Sequence, residues 1–172
     1  MTEAALDDVF VDDITVHAAD RYPLGATLFL PRTGKRSQAV LINSATAVPR
    51  RVYRGFAGYL ARRGCAVLTY DYRGTFDSRQ KALTGYNQPR SLVGFKASMS
   101  DWAEKDITST VQWMRERYRE LPLTYVGGVE GGAVAIGGPA DVIVTDGFTG
   151  NVVLKALEGA SDAAAERIGA AY

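Results

Sequence analysis

A predicted strand, a glycine-containing turn and the start of a helix follow one another near the C-terminal end of the sequence. The strand covers Asp141–Thr145 and the helix Asn151–Leu157. Where a glycine turn opens a helix, exposed backbone N–H groups can hold phosphate or another anion. Thr149 and Asn151 can add polar contacts to such an anion, and Lys155 can add a positive charge. The same arrangement is also a common connection without a ligand, so the residues alone leave both interpretations open.

The elements that position this turn are predicted from the spacing of apolar residues. Earlier strands are predicted over Val9–His17, Gly25–Leu30, Gln38–Asn43, Cys65–Tyr70 and Leu121–Val126. Helices are predicted over Tyr53–Arg63, with Gly64 as its C-cap, and over Ser100–Arg119, with Ser100 as its N-cap. Strands alternating with helices are typical of an α/β fold. We therefore expect one α/β domain over residues 1–172, with a mostly parallel, doubly wound sheet of about six strands in three α/β/α layers.

Composition limits the classes of protein to consider. The 172 residues are 47% hydrophobic and 23% charged, which fits a globular domain rather than a disordered chain. No apolar run reaches the ~20 residues of a membrane span, and the acidic N-terminus does not resemble a signal peptide. The single cysteine, Cys65, predicts no internal disulfide and no metal cluster. We expect a cytoplasmic protein without cofactor, metal or nucleic-acid partner.

Charge divides the chain near Gly127. Residues 1–126 carry 18 basic and 13 acidic side chains, whereas residues 127–172 carry 2 and 6. The second part also holds 10 of the 18 glycines but keeps strand and helix patterns. We interpret residues 127–172 as a strand–turn–helix segment of different origin from residues 1–126.

Residues 14–127 resemble the N-terminal half of a bacterial α/β-hydrolase of the esterase and lipase type. The resemblance rests on VLINSATAVPRRVYRGFAGYLARRGCAVLTYDYRG, SLVGFKASMSDWAEKDITSTVQWMRERY and LPLTYVG. It implies an oxyanion-hole loop at Asn43, Ser44 and Ala45. It also implies a serine nucleophile in a glycine-framed turn after Val126, with a histidine and a carboxylate further along the chain.

The catalytic serine of that resemblance is missing. The turn reads Gly127-Gly128-Val129-Glu130-Gly131-Gly132, and Val129, which has no nucleophilic atom, stands where the serine belongs. The only histidine, His17, lies in the first strand and is interpreted as an ordinary residue. We expect a truncated hydrolase-like scaffold with no catalytic residue and no hydrolase activity.

Residues 127–168 resemble a C-terminal portion of the bacterial phosphate acyltransferase that converts acyl-ACP and phosphate to acyl-phosphate in phospholipid synthesis. The matching stretches are VEG, ADVIVTDGFTGNVVLK and ALEG. The resemblance implies that this glycine turn lines a cleft for acyl substrate and phosphate. The phosphate- or acyl-binding candidates that it implies are Asp146, Gly147, Thr149, Gly150, Asn151 and Lys155.

Three functions stay open at this point. The first is an inactive hydrolase-like scaffold that binds a small acyl or anionic ligand, and the second is an acyltransferase-like protein with residual binding. The third is a non-catalytic chimera, whether fused, shortened or deliberately recombined. A sheet left incomplete has an exposed edge, so we also expect a possible homodimer through that edge.

The remaining charged and aromatic candidates are interpreted as structural. Asp71, Arg73 and Asp77 follow a strand and are expected to hold the DYRG turn. Asp101, Glu104 and Asp106 are expected at a solvated helix start, and Trp102 and Trp113 in the core or at its rim. A solvated basic face is expected for Arg50, Arg51 and Arg54, with contact to an anionic substrate as the alternative.

Overall fold

The computed structural model describes residues 7–45, 48–79, 97–127 and 142–144. Strands form where the sequence predicts them, with ends that move by at most two residues. They are β1 (Val9–His17), β2 (Pro23–Pro31), β3 (Gln38–Asn43), β4 (Cys65–Tyr70), β5 (Leu123–Val126) and β6 (Val142–Val144). β6 is described by its backbone alone, whereas the other five strands are described with their side chains.

The sheet is mixed rather than purely parallel, with three parallel and two antiparallel pairings among the described strands. The strand order is β1-β2-β4-β3-β5-β6. β1 pairs with β2 and β2 with β4 in antiparallel fashion, whereas β3 pairs in parallel with β4 and β5, and β5 with β6. The physical reason is the short connection between β1 and β2, because a hairpin-length link joins only antiparallel neighbours. In the described residues β1 and β6 are the outer strands, and the homodimer through an edge stays a prediction.

A helix covers each of the two faces of the sheet. The first face carries a 3₁₀ turn, Arg50–Tyr53, which runs directly into α1 (Arg54–Arg62). Gly64 ends this helix with φ at +88°, a left-handed conformation that glycine adopts without strain, as the C-cap prediction requires.

The second face carries a helical segment that changes its pitch. It begins as α2 (Met99–Asp101), continues as a π-helical stretch (Trp102–Ile107) and ends as α3 (Thr108–Arg117). The predicted N-cap, Ser100, is wrong. Ser98 caps the segment instead, because its Oγ accepts from the N–H of Asp101 at 3.1 Å and the Asp101 carboxylate accepts from the N–H of Ser98 at 2.8 Å.

Two apolar clusters lie on opposite sides of the sheet. The cluster under α3 includes Leu24, Leu41, Leu68, Tyr70, Ile107, Val111, Met114 and Tyr125. The cluster under α1 includes Val9, Phe29, Val40, Ile42, Ala57, Ala61 and Val67. Because β3 and β4 contribute residues to both clusters, they are buried on both faces, which explains their nearly continuous apolar sequences. No helix within the described ranges is both long and apolar enough to cross a bilayer.

Candidate functional site at the carboxyl edge of the sheet

The predicted oxyanion-loop residues lie where β3 ends. The Asn43 side chain is buried, and its Nδ2 donates to the hydroxyl of Tyr72 at 2.9 Å and to that of Tyr125. The Ser44 hydroxyl is also buried and donates to the carbonyl of Tyr70 at 3.2 Å. These two side chains therefore hold the end of β3 against the ends of β4 and β5.

The backbone N–H of Ala45 already has an acceptor. It donates to the hydroxyl of Tyr53, in the 3₁₀ turn before α1, at 3.1 Å. An amide that stabilises an oxyanion must point at the place where the negative charge develops. In this structure the Ala45 amide points at a tyrosine hydroxyl, which a substrate oxygen has to displace.

The first glycine of the turn after β5 is fixed by close packing. A Cβ placed on Gly127 comes within 2.4 Å of the Cβ of Asn43, so any larger residue forces the backbone apart. The next residue of interest, Val129, lies outside the described residues, and its position at a nucleophile turn stays a prediction.

The strand of the C-terminal segment pairs with the hydrolase-like strand. β6 runs parallel to β5 in the register Thr124↔Val142 to Val126↔Val144. The strand predicted over Asp141–Thr145 is therefore confirmed over its three central residues. The candidate phosphate- or acyl-binding residues that follow lie outside the described residues; they are Asp146, Gly147, Thr149, Gly150, Asn151 and Lys155.

A buried arginine, Arg50, corrects the expectation of a solvated basic face. Its guanidinium contacts the carboxylates of Asp71 and Asp77, both at 2.5 Å, and its Nε donates to the hydroxyl of Thr27 at 2.9 Å. Burial lowers the pKa of this guanidinium, and the hydrogen bonds to Asp77 and Asp71 raise it, with a net rise. Arg50 is consequently a permanent internal cation.

This ion-pair group borders a small polar cleft of about 150 Å³. Its lining residues are Asp13, Thr27, Pro49, Arg50, Arg51, Arg54, Asp71 and Asp77. Three arginines face three aspartates there, so the cleft has no strong excess of either charge. Arg51 and Arg54 are exposed, as the sequence predicts.

A second buried ion pair corrects the expectation for Asp106. This carboxylate is completely buried rather than solvated, and it accepts from the N–H of Arg73 at 2.8 Å and from its Nε at 2.7 Å. The other end of the same guanidinium donates to the carboxylate of Asp20 at 2.7 and 3.1 Å. Arg73 therefore ties the turn after β4 to the π-helical stretch and to the β1–β2 connection. Glu104 is exposed, and Asp101 caps the helix and pairs with Lys105.

Burial decides the protonation behaviour of Asp106. It raises the pKa of this carboxyl to about 6, even though the backbone and side chain of Arg73 act in the opposite direction. Asp20 behaves differently, because the hydrogen bond from Arg73 outweighs a smaller desolvation and lowers its pKa. The two carboxylates on one guanidinium thus titrate in different pH ranges.

The tryptophans have the structural roles that the sequence predicts. Trp102 stacks on the ring of Tyr72 with centroids 4.9 Å apart, and its Nε1 donates to the carbonyl of Arg73 at 3.2 Å. Trp113 packs against the core, and the guanidinium of Arg117 lies 5.2 Å from its ring centroid. The prediction of core or rim packing is confirmed for both.

His17 and Cys65, the only histidine and the only cysteine of the sequence, lie in ordinary structural positions. His17 is exposed at the end of β1, opposite Pro23. Cys65 is buried, and burial raises the pKa of its thiol. Across residues 7–45, 48–79 and 97–127 no three histidine, cysteine or acidic side chains form a group that could hold a metal ion.

The hydrogen-bonding tyrosines at this edge were not predicted from the sequence. The hydroxyls of Tyr53, Tyr72 and Tyr125 receive hydrogen bonds from the oxyanion-loop candidates, and Tyr22 donates to the carbonyl of Ser78 at 2.6 Å. Tyr125 lies in an apolar strand, where an aromatic ring is expected for packing alone, so the sequence gives no sign of a role for its hydroxyl. Only the position of Tyr72, two residues after the end of β4, indicated a polar role.

The fold defined by these elements is that of the α/β-hydrolases, as comparison with solved structures shows. The match to a hypothetical protein from Pseudomonas aeruginosa covers 84% of this chain and 46% of that protein, with 24% identity and a TM-score of 0.60. The match to a cold-adapted esterase from an Arctic intertidal metagenomic library covers 81% of this chain and 61% of the esterase, with 16% identity and a TM-score of 0.57. The match to an esterase from Pyrococcus furiosus covers 79% of this chain and 48% of the esterase, with 20% identity and a TM-score of 0.54.

The sequence itself leads to a different family. A model of the fatty acid synthesis protein family matches residues 73–171, more than half of the chain. The chain belongs to this family. The match begins at Arg73, well before Gly127, and so overlaps the hydrolase-like part.

Curated relatives agree with this assignment over the same part of the chain. A phosphate acyltransferase from Lactobacillus acidophilus is 41% identical over 80 residues, which are 46% of this chain and 22% of the relative. One from Dehalococcoides mccartyi is 58% identical over 45 residues, 26% of this chain and 13% of the relative. The matched region thus spans about a fifth or less of the length of these two relatives. The two-part resemblance predicted from the sequence is confirmed.

Proposed function

We propose that this chain binds a small acyl or anionic ligand at the carboxyl edge of its sheet and does not hydrolyse esters through a serine. The observation that carries the proposal is the parallel pairing of β5 with β6 in the register Val126↔Val144. Gly127 directly follows the first of these strands, and Asp146 comes two residues after the second. Adjacent parallel strands end at the same edge of a sheet, and open α/β sheets bind their ligands there.

The ligand class follows from the family of the C-terminal part. The relatives that match it are phosphate acyltransferases, which makes phosphate and acyl groups the first ligands to consider. The sequence from Asp146 to Asn151 has the glycines that free backbone N–H groups for an anion. Lys155, four residues after Asn151 in the helix that the sequence predicts, would add a positive charge.

The hydrolase alternative receives little support from the side chains at this edge. Val129 replaces the nucleophile that the hydrolase resemblance implies. The Ala45 amide is occupied by the hydroxyl of Tyr53, and Asn43 is committed to two tyrosine hydroxyls. We therefore expect neither covalent labelling by a fluorophosphonate nor turnover of p-nitrophenyl acetate above a protein blank. Stoichiometric labelling of any serine would contradict this.

An NMR titration of the full chain with inorganic phosphate tests the binding proposal. We expect shifts at the amides of Gly147, Thr149, Gly150 and Asn151, with chloride at equal ionic strength as the reference. Lys155→Gln should weaken the response, whereas Lys35→Gln, a change at an exposed lysine in the loop between β2 and β3, should not. The absence of any shift at millimolar phosphate would remove the proposal.

Phosphate acyltransfer is the second candidate function, and family membership favours it. In this reaction phosphate oxygen bonds to the acyl carbon of a thioester, the carbon–sulfur bond breaks, and the thiol leaves. The assay is acyl-phosphate formation from an acyl thioester and inorganic phosphate. Blank results in this assay and in the titration, together with cooperative thermal unfolding, would favour the third interpretation, a non-catalytic chimera of the two segments.

A further inference from the structure

The outward side of α1 and of the 3₁₀ turn before it is apolar and aromatic. Val52, Phe56 and Tyr59 are 65%, 46% and 44% exposed, which is unusual for residues of their size in this structure. Successive members are four and three residues apart, a spacing that places them in one stripe on a helix. Ala57 and Ala61, on the other side of α1, are buried against the sheet, so the stripe faces solvent.

Arginines flank this stripe. Arg51, Arg62 and Arg63 are exposed, and the guanidinium of Arg63 lies 3.9 Å from the centroid of the Tyr59 ring. Between Asp20 and Asp71 the sequence contains nine basic residues and no acidic one. Two carboxylates from elsewhere in the chain, Asp13 and Asp77, approach the start of the 3₁₀ turn, where both interact with the buried Arg50.

The loop between β2 and β3 extends the positive surface at the other end of α1. The N–H of Ser37 donates to the carbonyl of Gly64 at 3.0 Å, and a Cβ on Gly64 would lie 3.3 Å from the carbonyl oxygen of Lys35. Lys35 is exposed. Basic residues thus lie near both ends of the stripe.

We propose that this basic–aromatic face, made of Arg51, Val52, Phe56, Tyr59, Arg62 and Arg63, docks on the surface of an anionic lipid bilayer. Apolar and aromatic side chains on a helix enter the boundary between headgroups and acyl chains, and arginines beside them meet anionic headgroups. The excess of positive charge on this face is complementary to such a surface. This proposal does not depend on the ligand proposed above, whose candidate residues follow β6 in the sequence, although Arg51 also lines the polar cleft at the carboxyl edge.

A bilayer suits this surface better than an acidic protein does. A stable protein partner commonly covers about 800 Å² on each side with complementary shape. Here the apolar part, within the described residues, is a single stripe of three side chains on a convex helix, which is small for such a partner. A lipid surface deforms around such a stripe and needs no matching shape.

Co-sedimentation of the full chain with vesicles tests the proposal. We expect binding to vesicles of phosphatidylcholine mixed with phosphatidylglycerol, and little binding to phosphatidylcholine alone. Binding should fall when salt is raised from about 0.1 M to about 1 M, because the Debye length shortens from about 10 Å to about 3 Å. Arg51→Gln with Arg63→Gln should weaken binding by about 30-fold, since each arginine near an anionic surface contributes about fivefold. Val52→Ser with Phe56→Ser should also weaken it.

The opposite face of the sheet supplies matched controls. Phe10 is 46% exposed, like Phe56, but alternates in β1 with Val9 and Val11, which belong to the cluster under α1. Arg117 lies over the ring of Trp113 much as Arg63 lies over Tyr59. Phe10→Ser and Arg117→Gln should bind vesicles like the unchanged chain, and thermal unfolding should show that every variant is folded.

Three results would overturn the proposal. One is equal binding to the two kinds of vesicle, and another is binding that the α1 variants leave unchanged. The third is capture by soluble polyglutamate that equals vesicle binding and is lost in the same variants. That result would assign the face to an acidic protein instead of a bilayer.

Discussion

Arg50 donates twice to the carboxylate of Asp71, from its backbone N–H at 2.8 Å and from its guanidinium at 2.5 Å. The first contact fixes the start of the 3₁₀ turn, and the second neutralises a buried cation. Because Asp71 directly follows β4, this one carboxylate holds the segment after β3 to the end of the neighbouring strand. The carboxyl edge therefore depends on an internal ion pair for its shape.

Removal of Asp71 should be much more costly than removal of Asp77. Asp71→Ala removes the buried carboxylate that accepts from both the backbone and the guanidinium of Arg50, and the exposed Asp77 remains as a partner. Breaking a buried pair costs about 3–5 kcal/mol. Asp77→Ala removes a carboxylate whose side chain is 70% exposed, so a loss of no more than about 1 kcal/mol is expected. Urea denaturation measures both free energies of unfolding, and equal losses would contradict the assignment.

The two carboxylates that share Arg73 should give opposite pH dependences of stability. The folded-state pKa of Asp106 is raised from 3.8 to about 6, so the folded chain holds this proton more tightly than the unfolded chain. Its contribution to the free energy of unfolding is greatest below about pH 4 and is lost as the pH rises to about 6. Asp20 has a lowered pKa, so its contribution is present above 3.8 and is lost as the pH falls below that value.

Denaturation curves at a series of pH values separate these two effects. Asp106→Asn should abolish the decline in the free energy of unfolding between about pH 4 and 6, and Asp20→Asn should leave that decline in place. If the free energies of unfolding of the unchanged chain and of Asp106→Asn differed by the same amount at every pH, the raised pKa would be wrong.

Gly127→Ala should destabilise the protein through a direct steric clash. The added Cβ meets the Cβ of Asn43 at 2.4 Å, and Asn43 is held in β3 by its own hydrogen bonds. Overpacking of this kind costs about 1–3 kcal/mol. Gly34→Ala is the comparison, because nothing lies within 4 Å of a Cβ there and only the strain of its positive φ remains, about 1 kcal/mol. A thermal unfolding midpoint lower for Gly34→Ala than for Gly127→Ala would argue against the clash.

Ser98→Ala should lower the free energy of unfolding by about 1 kcal/mol, because it removes the cap of the helical segment. Ser100→Ala should change it by a few tenths at most, since alanine is the best helix former inside a helix. The two serines are both exposed and only two positions apart, so chemical denaturation of the pair isolates capping from other effects. Equal effects of the two substitutions would show that Ser98 is not the cap.

The strands and helices were predictable because their signals are local. Apolar runs such as Gln38–Asn43 and Cys65–Tyr70 have the length and composition of buried strands, and Gly64 marks a helix end on its own. The direction of pairing was not predictable in the same way. It depends on the length of the connection between β1 and β2, and the residues between His17 and Pro23 include no glycine that would indicate a hairpin turn.

The site was harder to predict than the fold because the type of a charged residue does not show whether its side chain is buried. Arg50 and Asp106 look like solvent-exposed charges in the sequence. Each is buried only because partners distant in the chain, Asp71 and Arg73, meet it after folding. A helix-phase argument also fails for Asp106, since the π-helical stretch shifts its direction relative to a regular α-helix.

The position of β3 between two partners sets an order for building the sheet. Ala39 pairs with Ala66, 27 residues later, and with Leu123, 84 residues later. Closing the longer loop costs about 1 kcal/mol more in chain entropy than closing the shorter one. Chain entropy therefore favours pairing within the unit of β3, α1 and β4 first, and we expect β5 to join after it. Because β5 is the partner of β6, the strand of the C-terminal segment can join the sheet only where β5 is already in place.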